Sequence, residues 1–227
     1  MEVGTGAHTT ALVYHAEQPR IGAALILGHG AGAGQHSPFM TDFARALASL
    51  GADIITFNFL YTEQKRRLPD RAPALETCYR AVIQIVRDRV DSAQHALFIG
   101  GKSMGGRIAT QVAAADAGLP LAGLVLLGYP LHPPGRPERL RDAHLPGVGR
   151  PMLFVQGSRD GFGTPDELAP ILVRIAPPPA VHTAAGGDHS FKLTGRDPAK
   201  QAAMHDDIQR AIVRWMGLTA PHPTDAP

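Results

Sequence analysis

The pentapeptide Gly101-Lys102-Ser103-Met104-Gly105, inside "FIGGKSMGGR", carries a serine hydroxyl flanked by glycines. An apolar run, "ALFIGG" (Ala96 to Gly101), precedes it, and a segment of helical composition, Gly105 to Ala117, follows. G-x-S-x-G between a strand and a helix presents a nucleophilic serine on a sharp turn. The backbone of such a turn is strained, and side chains two residues to either side would collide. Glycine at 101 and 105 relieves the collision, and Gly106 lets the helix pack close. The chemistry implied is attack of Ser103 Oγ on an electrophilic carbonyl.

The same residues offer a rival reading. Gly101-Lys102-Ser103 matches the end of the phosphate-binding pattern G-x-x-x-x-G-K-[ST], but the first glycine should stand at position 96, which is alanine. Leu97, Phe98 and Ile99 between them are strand material, so the nucleophile reading is preferred. For Lys102 itself two readings stand, an ammonium leaning over a pocket to select acidic substrates or a solvated side chain behind the turn; the second is expected.

Serine needs a base, and the base needs an orienting acid. In a strand-turn-helix architecture these follow in the order Ser, acid, His. "FVQGSRDGFGTPDEL" puts Asp160 just past a strand, and "AAGGDHSFK" puts His189 on a Gly-rich turn before the last helix. Asp166 and Glu167 suit the first turn of a helix after Pro165, and Asp188 suits a turn. His182 falls within a strand pattern and His205 within a helical one, where structural roles are expected. Two backbone amides must then hold the oxyanion that forms. "LGHGAGAG" (Leu27 to Gly34) follows a strand and offers the amide of Ala31, with Gly30 and Gly32 as alternatives; Met104 offers the second.

Positioning these groups requires a framework. Continuous apolar runs recur at Ala23 to His29, Ala52 to Phe59, Ala96 to Gly101, Gly123 to Tyr129, Met152 to Gly157 and Ala180 to Gly186, as expected for strands covered on both faces. Helical segments alternate with them: Ser37 to Leu50, Pro73 to Val90, Gly105 to Ala117, Pro165 to Ile175 and Pro198 to Met216. "TTALVYHA" is expected to add an edge strand, open to antiparallel pairing. The fold class expected is α/β, a mostly parallel sheet with right-handed crossovers and helices on both faces. "HPPGRPERLRDAHLPGVGRP" (His132 to Pro151) is an irregular insertion too short to form a cap domain. One domain over residues 1–217 and a flexible tail at 218–227 are expected.

With 227 residues, 44% hydrophobic and 19% charged, the chain has ordinary globular composition, and folding buries roughly 70% of the unfolded surface at this size. A formal charge of +2 and a single basic triplet, Lys65-Arg66-Arg67, argue against a nucleic-acid groove. One cysteine, Cys78, excludes an intrachain disulfide and a cysteine-based zinc cluster. His29 and His36 have no third metal ligand at a supporting spacing. The G-x-G-x-x-A within Gly28 to Ala33 lacks the acid that should end the next strand, where Asn58 stands, so a dinucleotide is not expected. No signal-like leader or membrane-length apolar run is present, and a soluble, cytoplasmic protein without cofactor or metal is expected.

"GHGAGAGQHSPFM", "GGKSMGGR", "QGSRDGFGT" and "GGDHSFK" together resemble the α/β-hydrolases, in their small, lid-poor, dienelactone-hydrolase-like branch. With "GYPLHPPGRPERLRDAHL" they are similar, from about Ala24 to Met216, to the hydrolase-like domain shared by a testis-expressed protein and a nonspecific-lethal chromatin-complex subunit. The resemblance implies a Ser103, Asp160, His189 triad on a sheet with reduced N-terminal strands and no cap. The activity expected is hydrolysis of a small ester or thioester, with Tyr61, Tyr129, Leu131, Phe162 and Phe191 lining an acyl pocket. The alternative is a non-catalytic interaction module that keeps the fold for binding.

Overall fold

A computed structural model describes residues 1–3, 6–195 and 197–221. Seven strands form one sheet among them: β1 (Ala11–Tyr14), β2 (Ala24–Gly28), β3 (Asp53–Phe57), β4 (Leu97–Lys102), β5 (Gly123–Leu127), β6 (Met152–Gly157) and β7 (Ala180–Ala184). The order across the sheet is β1-β3-β2-β4-β5-β6-β7. All neighbours are parallel except β1, which pairs antiparallel with β3 at the edge. The helices are α1 (Pro38–Ser49), α2 (Leu60–Glu63), α3 (Ala72–Arg89), α4 (Ser92–His95), α5 (Met104–Ala115), α6 (Pro165–Leu172) and α7 (Pro198–Thr219).

The inner strands β2, β4, β5 and β6 are buried at every position, which is why their sequences run apolar without alternation. Alternate residues nonetheless divide between two cores. Ile26, Ile55, Ile99, Leu124 and Phe154 meet Tyr79 and Val82 of α3, Ile108 of α5 and Leu168 of α6. Leu25, Ile54, Phe98, Val125 and Val155 meet Phe43 of α1 and Ile208 and Ile212 of α7. The stripe Leu75, Tyr79, Val82, Ile83 and Val86 is buried as its spacing requires. At α6, "TPDE" forms a capping box, Thr164 accepting from the Glu167 amide and the Glu167 carboxylate accepting from the Thr164 amide.

The insertion between β5 and β6 contains one 3-10 turn, Leu145–Gly147, and no cap domain stands over the sheet among the described residues. Leu218 and Thr219, expected in a loose tail, complete the last turn of α7 instead; residues 222–227 lie outside the described residues. Two short helices, α2 and α4, were not expected from periodicity, because a single turn carries no repeat to read. Among the described residues no helix is long and apolar enough to cross a membrane.

Candidate active site

Strand β4 ends at Lys102, and the chain turns at once into α5. Ser103 takes the turn at φ 51° and ψ −114°, a conformation L-residues adopt at a cost of about 1–3 kcal/mol. The collision that the flanking glycines avoid is with β2. A Cβ on Gly101 would lie 2.2 Å, and one on Gly105 2.1 Å, from the carbonyl oxygen of Gly28. The Ser103 amide donates to Leu127 O at 2.9 Å, which ties the turn to β5.

Ser103 Oγ lies 2.9 Å from His189 Nε2. On its other side the imidazole Nδ1–H donates to Asp160, 2.8 Å from Oδ2 and 3.0 Å from Oδ1. A carboxylate accepts only, so the proton resides on Nδ1 and Nε2 is free to accept from the Ser103 hydroxyl. Asp160 is 1% exposed, and each oxygen has a second donor: the Phe162 amide at 2.8 Å and Gln156 Nε2 at 2.9 Å. The ring of Phe162 stacks on the imidazole, centroids 4.1 Å apart and planes 30° from parallel, which fixes the plane in which His189 can turn.

Ala31, Ser103, Met104 and His189 line one cavity of about 1050 Å³. Among the described residues neither the Ala31 nor the Met104 amide donates to a protein acceptor, so both are free for an oxygen placed between them. The Met104 amide also belongs to the first turn of α5, the positive end of its dipole. Behind the Ala31 loop, buried His29 acts as a brace: its Nδ1–H donates to Gly30 O at 2.9 Å and its Nε2 accepts from the Phe59 amide at 3.2 Å. Burial pulls this imidazole below the usual histidine range, in keeping with a neutral ring that accepts at Nε2.

A model of the alpha/beta hydrolase domain family matches residues 22–217. The chain belongs to this family. Solved structures with the same hydrolase fold include an alpha-beta serine hydrolase homologue from Coxiella burnetii, 19% identical, with a TM-score of 0.72 over 93% of both chains. A serine hydrolase without a lid from Xanthomonas campestris is 21% identical, with a TM-score of 0.69 over 96% of this chain and 91% of that one. Dienelactone hydrolase from Anabaena variabilis is 18% identical, with a TM-score of 0.70 over 94% and 93%.

Within this hydrolase domain the expected acyl-pocket residues separate. Phe162 lines the cavity beside His189. Tyr129, Leu131 and Phe191 are fully buried in the core and do not line it. Tyr129 is drawn inward by its hydroxyl, which donates to Arg141 O at 2.6 Å, and Phe191 packs under Phe39 and Phe43. Tyr61 borders a separate cavity of about 450 Å³ with Lys65, Arg66 and Arg67. Sequence position after a strand end could not separate these cases, because the side chains turn toward opposite layers.

Lys102 also departs from expectation. It is 8% exposed and lies against the cavity, with Nζ donating to His189 O at 2.6 Å and resting 5.7 Å from the ring centroid of Phe191. The space exists because Gly128 has no side chain: a Cβ there would stand 2.9 Å from the ammonium. Burial pulls the Lys102 pKa down to about 8, against the opposing pull of Asp160 and Asp188.

Three further residues at the site carry no motif in the sequence. Gln156 holds Asp160 while its Oε1 accepts from the Tyr129 amide at 2.9 Å; its only signal was a polar residue closing the apolar run "MLFVQG". Arg141, from the insertion, and Arg107, one turn after Ser103, reach the cavity. Of the rival residues, Asp188 caps its own turn by accepting from the Ser190 and Lys192 amides, and His205 lines the cavity but accepts from Gln201 Nε2 at 2.9 Å.

Proposed function

We propose that the chain is a serine hydrolase of small esters or thioesters, acting through an acyl-enzyme on Ser103, in the lid-poor, dienelactone-hydrolase-like branch of its family. The observation that carries this reading is the unbroken chain of hydrogen bonds from Ser103 Oγ through His189 to Asp160. His189 Nε2 takes the hydroxyl proton as Oγ attacks the substrate carbonyl, and Asp160 holds the imidazolium that results. The amides of Ala31 and Met104 receive the oxyanion. Collapse of the tetrahedral adduct returns the proton from Nε2 to the leaving oxygen or sulfur. Water, deprotonated by the same nitrogen, then attacks the acyl-enzyme and frees Ser103.

Support for a small or accessible acyl group comes from the cavity, which is broad and lined by Phe39, Met40, Leu75 and Phe162 rather than closed by a lid. The test is turnover of 4-nitrophenyl acetate, butyrate and octanoate and of the matching N-acetylcysteamine thioesters. Wild type should hydrolyse at least one series, with kcat/KM at least 10³-fold lower in Ser103→Ala. Rates equal in the two proteins would reject the reading.

A further inference from the structure

The catalytic cavity has a charge pattern that ester hydrolysis does not require. Arg107 and Arg141 both line it and both are half-buried. Among the described residues neither has a carboxylate within 4 Å; the nearest acceptors are neutral and distant, Gln111 Oε1 at 3.4 Å from Arg107 and Pro130 O at 3.4 Å from Arg141. Asp142, beside Arg141 in sequence, turns to Arg174, and Asp70 of the cavity wall is held by Arg66 at 2.6 Å. The two guanidiniums also sense each other: burial and then the charge of Arg107 pull Arg141 below its ordinary value. Asp42 also lines the cavity but pairs with neither, and two half-buried like charges with no carboxylate within 4 Å of either among the described residues are an unbalanced arrangement that a bound anion relieves.

The pair is held in place from behind. Arg107 sits in the second turn of α5, its amide donating to Ser103 O at 3.1 Å. Arg141 belongs to the irregular insertion, but its backbone is pinned on both sides, its amide donating to Leu131 O at 2.8 Å and its carbonyl accepting from Tyr129 Oη at 2.6 Å. The insertion therefore does more than edge the cavity: it delivers a cation to it. Guanidinium forks match the planar oxygens of a carboxylate.

We infer that Arg107 and Arg141 form a carboxylate-binding subsite, so that the ester or thioester hydrolysed at Ser103 carries an acid on its acyl chain or its leaving group. This inference rests on the hydrolase reading for its catalytic part, and binding of an acid tests it separately. Two substrate pairs place the charge on opposite sides of the scissile bond: 4-nitrophenyl hemiglutarate against 4-nitrophenyl valerate, and 4-acetoxybenzoate against its methyl ester. In at least one pair the acidic member should be preferred at least tenfold in kcat/KM, the difference lying in KM. Arg141→Gln, and independently Arg107→Gln, should bring that ratio close to one, and 0.5 M NaCl should shrink it in wild type. Neutral members hydrolysed as well as or better than both acids, in a Ser103-dependent way, would overturn the subsite and leave the hydrolase standing. Were no ester turned over, glutarate and benzoate would still be titrated against the thermal transition. A stabilisation absent in Arg141→Gln would uphold the subsite without the hydrolase, and none in wild type would overturn it.

Discussion

The ammonium of Lys102, the residue before Ser103, donates to the backbone carbonyl of His189 at 2.6 Å. One buried cation thus joins the turn that carries Ser103 to the loop that carries His189, 87 positions apart.

That contact has a cost that depends on pH. The Lys102 pKa, about 8 when folded, lies below its ordinary value of 10.5, so the folded state binds fewer protons than the unfolded chain between those limits. The penalty for burying the charge is fully present below about pH 8 and fades as pH rises toward 10.5. The stability of Lys102→Met minus that of wild type should accordingly fall by roughly 3 kcal/mol between pH 7 and pH 10.5. Urea unfolding of both proteins across this range measures it; a difference independent of pH would show that the lysine is solvated.

Asp160 has two supporting donors, and Gln156 acts on His189 only through it. Asp160→Asn should lower kcat on the best ester by about 10⁴-fold, since the amide favours the wrong imidazole tautomer. Gln156→Met should cost about tenfold in kcat and ~2 kcal/mol in stability, because it also leaves the buried Tyr129 amide without an acceptor. In the Asp160→Asn background the kinetic effect of Gln156→Met should vanish while the stability effect remains. A kinetic loss that persisted there would show Gln156 acting by another route.

Gly105→Ala puts a methyl group 2.1 Å from Gly28 O, a strand backbone atom with no room to withdraw. A loss of about 3 kcal/mol or more is expected, read from the urea midpoint. Gly32→Ala, in the open loop after β2 with nothing within 4 Å, meets only the strain of φ 72° and should cost about 1 kcal/mol. Equal losses at the two glycines would contradict the close approach of α5 to β2.

Much of this architecture was legible in the residues. Unbroken apolar runs between amphipathic helices specify a parallel sheet, and G-x-S-x-G at a strand end can close only one kind of turn. Ser103, Asp160 and His189, expected from motif and order, meet in one hydrogen-bonded chain. What stayed hidden depends on which layer a side chain enters after its strand ends. Tyr129 and Leu131 follow β5 as closely as any pocket residue would, yet Tyr129 turns inward to brace the insertion. Lys102 is drawn in by the missing side chain of Gly128, which lies 26 residues further along the chain. Arg141 sits in an insertion without periodicity, and only its pinned backbone brings it to the cavity.

Phe162 stacks on His189 and offers a further check of how that imidazole is held. Phe162→Ala should lower kcat by about tenfold, reflecting a looser imidazole worth roughly 1.4 kcal/mol in the transition state, with a smaller change in KM. Steady-state kinetics on a neutral ester decide it. A change confined to KM would make Phe162 a wall of the cavity only.

The central claim is that His189 activates Ser103, and labelling by a fluorophosphonate, followed by mass spectrometry of the modified peptide, tests it most directly. Wild type should carry one adduct, on Ser103, and neither Ser103→Ala nor His189→Ala should be labelled at a comparable rate. Folded wild type that takes no label, or label that persists on another residue in Ser103→Ala, would contradict the account.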